Sequence, residues 1–507
     1  MNLQPPVATD SRHLVMVALV IVLYLALAIG SSFTKRPWID ESYQANCSLD
    51  VVTRGTAGLT LVEPTGFITR PGHYFPGINN FNFLWMPLPY YLFAAWYKLF
   101  GFSLVSTRMI SVGCGLALLL ACRSIVCRLT GDRRLALLSM FLVGIDRVVI
   151  DAASDGRPDM MAGAFSFAGL ALFLYLRERN LDLAIFAGHC LVAAGIVSHP
   201  VAMNGFFGVI FLSLYLDRGR LRWRHLFLTG LPYLLAIAGW GLFILQDRAD
   251  FWPQFSVALR SRGSGFFAPW KAVLDEFSLR YLRFYLPPYA QRAGRLRVLI
   301  PLLYFAAAFG GWFVPQIRQS PGRRALLLLA AIYFVVMTFT EGLKSYYYMI
   351  HIVPVLACTL AMAIAWGWQR STLWRCPSAA ILTVFVILQI GWTVALIRRN
   401  DYRNTYLPAI AFLKEHAPQP DIVNGTTELG FELGFYNKDL IEDAAFGYYT
   451  KKLADYIVID EDRAFGQSMQ SYKKYAPWLY TYETDLLDHQ YHLVYDRQVY
   501  KIYAKKP

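Results

Sequence analysis

Long apolar runs without a single charge decide what this chain can become. Leu14–Ile29, Leu226–Leu245, Val298–Val314, Ala325–Thr340 and Ala379–Ile397 contain no Asp, Glu, Lys or Arg. Each is about long enough to cross a hydrocarbon core of ~30 Å. A soluble helix keeps one polar face, whereas a helix that is apolar all round suits lipid. Only 16% of the 507 residues are charged, against about a quarter in a soluble chain.

Hydropathy predicts eleven spans, near 14–33, 108–126, 135–150, 160–176, 183–198, 201–216, 226–245, 297–314, 325–340, 349–368 and 379–397. Arginines concentrate in cytoplasmic loops. They cluster at 123–134, 177–179, 218–224, 318–324 and 370–375, which is every second loop if the N-terminus lies inside. That placement puts loops 34–107, 151–159 and 246–296 outside, with the tail 398–507. It holds only if Leu84–Phe100, which starts among Pro87 and Pro89 and ends near Lys98, lies along the surface as an interfacial helix. The first span is read as retained, although Ala26-Leu27-Ala28 resembles a signal cleavage site.

The net charge of +14 belongs to the membrane part: residues 398–507 hold 14 basic and 16 acidic side chains. A basic membrane part suits anionic head groups and phosphate-bearing substrates; nothing points to nucleic acid. Loop 246–296 is basic against the positive-inside trend, with Phe266, Phe267, Trp270, Tyr285, Pro287, Pro288 and Tyr289 interleaved, and is expected to attract an anionic lipid. The seven cysteines form neither a disulfide framework nor a metal-type pair. The tail predicts a helix over Tyr406–His416, then short strands at Ile422-Val423, Tyr456–Ile459, Tyr491–Tyr495 and Tyr500–Tyr503. The predicted fold is an all-α polytopic membrane bundle of about eleven helices with outer juxtamembrane helices (1–397), followed by a small α/β domain (398–507).

The spans read as almost free of charge, with acidic residues at their outer ends. A transporter places ionisable groups near mid-membrane; an enzyme acting on a lipid head group needs them where water meets lipid. Three segments carry such groups. Asp40 and Glu41 follow the first span in Arg36-Pro37-Trp38-Ile39-Asp40-Glu41-Ser42-Tyr43, and paired carboxylates can hold a general base at raised pKa. Asp151-Ala-Ala-Ser-Asp155-Gly156-Arg157-Pro158-Asp159-Met160 adds carboxylates and an arginine, although Pro158 and Asp159 also suit a plain helix start. Glu341-Gly342-Leu343-Lys344-Ser345-Tyr346-Tyr347-Tyr348 places a cation beside hydroxyls that can hold a phosphate. His199-Pro200 is a further candidate for substrate lining. His489 and His492 lack a third metal ligand nearby, and Asp460-Glu461-Asp462 reads as an isolated acidic turn.

In the order and spacing of these motifs the chain resembles the GT-C membrane glycosyltransferases. It is most similar to the bacterial branch of the dolichyl-phosphate-mannose protein mannosyltransferases and to the aminoarabinose transferases of lipid A. Asp40-Glu41-x-Tyr43, Pro87 through Gly101, Arg108, Arg157-Pro158-Asp159-Met160 and Lys344 through Tyr348 with Pro354 carry the likeness. Trp85 stands where the family often has a lysine. The resemblance implies an inverting glycosyltransferase at the periplasmic face of a bacterial inner membrane. Such an enzyme moves sugar from a polyprenyl-phosphate carrier to a lipid, glycan or protein. It implies Asp40 as base, Glu41 and Asp159 as orienting carboxylates, and Arg157, Lys344, Tyr346 and Tyr347 on the phosphate, with Tyr43 and His199 lining the substrate. No metal ligand is assigned, and a divalent metal is left open. The alternatives are a lipid-linked sugar flippase and an O-antigen ligase or polymerase using a diphosphate-linked donor.

Overall fold

A computed structural model describes residues 11–64, 75–262, 268–286 and 292–507. Phe266, Phe267, Pro287, Pro288 and Tyr289 of the basic loop lie outside the described residues. Helices occupy every segment where hydropathy predicts a span: α1 (Ser11–Thr34), α4 (Leu104–Thr130), α5 with α6 (Arg133–Ile145, Arg147–Ala153), α7 (Pro158–Leu176), α8 (Leu181–Ile196), α9 (Met203–Asp217), α10 (Trp223–Ile244), α13 (Leu299–Gly310), α14 (Pro321–Thr340), α15 (Val353–Arg370) and α16 (Thr372–Arg399). Between them lie α2 (Ile39–Thr53), α3 (Leu88–Phe100), α11 (Arg248–Arg262) and α12 (Pro269–Asp275). Eight helical stretches among the described residues are long and apolar enough to cross a membrane.

The predicted span 135–150 departs from expectation, because it is broken at Asp146. That residue has an extended backbone and caps α6 through the Val148 amide. Tyr304 donates to its carboxylate at 2.5 Å and Gln389 also donates to it. A polar cap buried among helices replaces the backbone bonds lost at the break. The break turns α6 so that Arg147 and Asp151 reach the end of the bundle.

The two ends of the bundle differ in chemistry. At one end the arginine-rich loops meet: Arg177 pairs with Asp217 at 2.6 Å, Arg324 donates to Tyr215 at 2.8 Å, and Arg323 lies 3.9 Å from Asp132. Here α14 crosses α4 so closely that a Cβ on Gly322 would lie 1.7 Å from the Leu129 carbonyl oxygen, which only glycine permits. At the other end of α4, about 30 Å away by helical rise, sits Arg108. The acidic motifs gather there. Helix α3 buries Tyr90, Phe93 and Tyr97 against this end and leaves Tyr91, Leu99 and Phe100 exposed, a two-faced pattern that suits a helix lying on a bilayer.

Beyond α16, α17 (Leu407–His416) leads into a five-stranded sheet flanked by α18 (Ala464–Tyr475) and α19 (Pro477–Gln490). The strands β1 (Val423–Asn424), β2 (Leu440–Ile441), β3 (Tyr456–Asp460), β4 (Tyr491–Arg497) and β5 (Tyr500–Lys505) are ordered β2-β1-β3-β5-β4. β1 runs parallel to β2 and β3, whereas β5 is antiparallel to β3 and β4. The tail docks on the loop region 34–102. Phe102 stacks on Phe431 with ring centroids 6.1 Å apart, and Val62 bridges to Glu442.

Candidate active site

Arg108 builds the floor of the site. Its five N–H donors all find acceptors: Nη1 on the Ser32 and Lys35 carbonyls at 2.6 and 2.7 Å, Nη2 on the Arg36 carbonyl at 3.2 Å, and Nε with Nη2 as a fork on Glu41 at 2.7 and 2.8 Å. A cation thus caps the last carbonyls of α1 and seats the first turn of α2. Glu41 is fully buried. It also accepts from the Gly156 amide at 2.8 Å and from the Trp38 amide at 3.3 Å. A Cβ on Gly156 would fall 2.4 Å from Thr107, so glycine lets that amide reach the carboxylate.

The expectation that Asp40 and Glu41 act as a carboxylate pair is corrected by this geometry. Neighbours on a helix diverge by about 100° and do not face each other. Glu41 turns inward to Arg108, while Asp40 turns to Arg157 Nη1 at 3.1 Å and keeps a third of its side chain exposed. Burial pushes the Asp40 carboxyl above the usual aspartate range, and the Arg157 guanidinium pulls against that rise. Arg157 also donates to Asp159 at 2.9 Å and lies 4.0 Å above the Tyr347 ring. His199 Nε2 is 3.8 Å from Asp159. Asp40, Arg157, Asp159, His199 and Tyr347 therefore form one group, with Tyr346 packed against Tyr347 at a tilt, ring centroids 4.0 Å apart.

Two expected residues stand apart. Lys344 adopts a left-handed backbone (φ 53°) that carries its side chain back to the Thr338 carbonyl and to Glu276 at 3.1 Å. It is buried, already neutralised, and lines neither cavity described below. Tyr43 donates its hydroxyl to Glu442 of the tail. Trp85 packs on Tyr43 with ring centroids 5.7 Å apart, away from the cations. In the basic loop, Arg280 is locked between Glu276 at 2.6 Å and Glu341 at 2.8 Å, so it is not free for a lipid.

Apart from Arg157, the cations that line the cavities are not among the expected site residues. A cavity of about 200 Å³ lies between Ser31 and Thr34 of α1, Leu396 and Ile397 of α16, and the aromatic rings of Trp38, Tyr346 and Tyr347. Its wall carries Lys35, Arg36, Arg147, Arg399 and Arg463 against Asp151, Asp155 and Asp401. Lys35 bonds Asp155 at 2.8 Å and Asp151 at 3.1 Å, and Arg147 Nη2 bonds Asp151 at 2.7 Å. Arg147 Nε and Nη1 are buried with no hydrogen-bond partner among the described residues. Buried donors left unpaired are costly, so these nitrogens call for an acceptor oxygen from water or a ligand. A smaller adjoining cavity is lined by Arg157 and by Asp155 and Asp159, each of which has a buried Oδ1 without a hydrogen-bond partner. The charged pair Asp146-Arg147 inside an apolar run was the available signal, because ionisable groups in a span are seldom there for packing alone. Lys35, just past the first span, carried the same signal of a charge at a span end, whereas for Arg463 in the tail no sequence signal existed.

Among the described residues no group of three or more His, Cys, Asp or Glu is placed to hold a metal ion. Of the carboxylates nearest Asp40, Asp159 faces Arg157 at 2.9 Å and Asp155 faces Lys35 at 2.8 Å.

No family model matches this sequence, and no curated protein matches it. Solved structures do match. ArnT from Cupriavidus metallidurans bound to undecaprenyl phosphate aligns with a TM-score of 0.55 over 98% of this chain and 98% of that chain, at 15% identity. The Archaeoglobus fulgidus oligosaccharyltransferase in complex with Zn and sulfate aligns with a TM-score of 0.56 over 97% of this chain and 73% of that chain, at 13% identity. The oligosaccharyltransferase AglB from the same organism, in complex with an inhibitory peptide and a dolichol-phosphate, aligns with a TM-score of 0.53 over 98% and 74%, at 12% identity. At such identities the likeness is one of fold: the chain shares the fold of ArnT and of the archaeal oligosaccharyltransferase.

Proposed function

We propose that this protein is an inverting glycosyltransferase that takes a sugar from a polyprenyl-phosphate carrier at the outer face of a bacterial inner membrane. The observation that carries the reading is the cavity at the end of α1 and α16, where the buried guanidinium of Arg147 has two donor nitrogens left over. A phosphate ester there satisfies both, with Lys35 and Arg463 beside it, while its hydrocarbon tail leaves past Leu396 and Ile397. These contacts take over the phosphate-holding role first given to Lys344. The arginine-rich loops lie at the far end of the bundle, which supports an outward-facing site. Solved structures of the same fold hold undecaprenyl phosphate and dolichol-phosphate.

Asp155 and Asp159 present carboxylate oxygens that accept sugar hydroxyls. The acceptor, a hydroxyl of a lipid, glycan or protein, approaches on the exposed side of Asp40. Asp40 takes the hydroxyl proton as the acceptor oxygen bonds the anomeric carbon. The bond from that carbon to the phosphate oxygen breaks in the same displacement, inverting the centre. The departing phosphate carries the negative charge, and fixed cations stabilise it as it develops, so no general acid is needed. Glu41 holds α2 in place and takes no part in proton transfer.

Purified protein supplied with radiolabelled sugar on a monophosphate or a diphosphate carrier tests this directly. Transfer from the monophosphate carrier alone is expected, and transfer only from the diphosphate carrier, or movement across the bilayer without transfer, defeats the reading. Arg147→Gln is expected to weaken undecaprenyl phosphate binding roughly 10- to 100-fold, the worth of charge-assisted hydrogen bonds to a buried phosphate. Native mass spectrometry or tryptophan fluorescence measures it.

The pH profile gives a second check. A carboxylate base works only when ionised, so kcat/KM falls as pH drops through its pKa. Burial holds the Asp40 pKa high and Arg157 draws it down. Arg157→Gln removes that draw, so the acid limb moves to higher pH. A limb that stays put in this variant separates Asp40 from the base role.

A further inference from the structure

By sequence Asp460-Glu461-Asp462 is an isolated acidic turn. The structure fills it with an arginine from the other part of the chain. Arg36 Nη1 bonds Asp460 at 2.9 Å and Nη2 bonds Asp462, with Arg36 only 4% exposed. The next residue returns the contact. Arg463 lies 4.4 Å over the Trp38 ring and its Nη1 donates to the Pro37 carbonyl at 3.1 Å. Two segments, 36–38 after α1 and 460–463 after β3, thus exchange arginines. Trp38 is the residue that caps α2, and its ring is also packed by Tyr347 at 5.6 Å. Further along α2, Tyr43 reaches Glu442, which also accepts from the Thr427 amide at 2.6 Å. The start of α2 is therefore held by the tail on either side of Asp40, at Trp38 and at Tyr43.

We infer that the tail is a working part of the active site: the arginine exchange between residues 36–38 and 460–463 is a positioning element that sets the direction in which Asp40 leaves α2. The inference rests on the reading of Asp40 as the base. Arg463 has a double place, since it both grips Trp38 and lines the phosphate cavity. Asp460 and Asp462 line neither cavity and act through Arg36, which itself reaches the phosphate cavity, so donor KM is read beside kcat to separate positioning from binding.

The test uses the full chain in lipid nanodiscs, with the Asp460→Asn/Asp462→Asn double variant. Amide hydrogen exchange over residues 36–42 is read beside donor kinetics. Exchange there is expected to speed at least tenfold while α1 and α4 stay protected. The expected loss in kcat is about 10- to 100-fold, the range that a displacement of ~1 Å in a reacting group produces, with the donor KM nearly unchanged. If the double variant does not fold, Arg463→Leu, which leaves Arg36 paired, carries the same exchange measurement. Unchanged exchange at 36–42, or faster exchange with full kcat, overturns the inference. Faster exchange in a protein whose parent form transfers no sugar removes the transferase reading and leaves the tail's grip on α2 standing.

Discussion

Asp40→Asn is expected to lower kcat by about 10²–10⁴-fold, the usual contribution of a positioned general base, with little change in melting temperature. The two expectations come from one geometry. Asn keeps the shape and can still face Arg157, which retains Asp159 at 2.9 Å as a charged partner. A third of the Asp40 side chain is exposed, so the swap leaves no fully buried charge unpaired. What Asn lacks is a basic oxygen for the acceptor proton. Steady-state transfer with a saturating monophosphate-linked donor, beside a thermal melt, measures both halves. Near-normal turnover would place the base elsewhere, with Asp159 the next carboxylate to examine. Glu41→Gln serves as the contrasting variant: it loosens the fork to Arg108 and is expected to cost stability before it costs chemistry.

Arg108→Ala is expected to produce the largest loss of stability, about 3–5 kcal/mol. Removing one partner of a buried pair leaves the other charge uncompensated. The Glu41 carboxylate would keep only the Gly156 and Trp38 amides. The carbonyls of Ser32, Lys35 and Arg36 would lose their donor in the same step. The end of α1 and the start of α2 would both come loose. The measurement is a thermal melt in detergent or nanodisc, with a double variant as its internal control. Replacing both partners by apolar side chains (Glu41→Leu with Arg108→Met) removes the stranded charge and is expected to recover part of the loss. A melt unchanged in Arg108→Ala would show that the fork does not hold the floor of the site.

The membrane fold was legible in the sequence because a lipid-facing helix has to be apolar around its whole circumference. The tail strands were legible from alternation between turn residues, and the observed strands β3, β4 and β5 overlap the runs at Tyr456–Ile459, Tyr491–Tyr495 and Tyr500–Tyr503. The candidate site was legible in part. Asp40, Arg157 and Asp159 stood out as charges just outside spans, and the structure brings them together. Lys344 stood out for the same reason and was misplaced, because a cation's partner lies wherever the fold puts it. Glu276, 68 positions earlier, is that partner. Arg147 was hidden for the opposite reason: it sat inside an apolar run counted as one continuous span, and the break at Asp146 that exposes it depends on Gln389 and Tyr304 from distant helices.

Local chemistry determined where helices form, which segments are apolar enough for lipid, and which loops carry charge, since each depends on neighbours along the chain. The long-range pairing of charges was decided by tertiary structure. Glu41 with Arg108, Arg36 with Asp460, and Arg463 over Trp38 join residues separated by 67 to 425 positions. Burial removes water as the competing partner, so each ion takes whichever opposite charge the packing delivers. The carboxylate left partly open to solvent by that sorting, Asp40, is the one to which the chemistry is assigned.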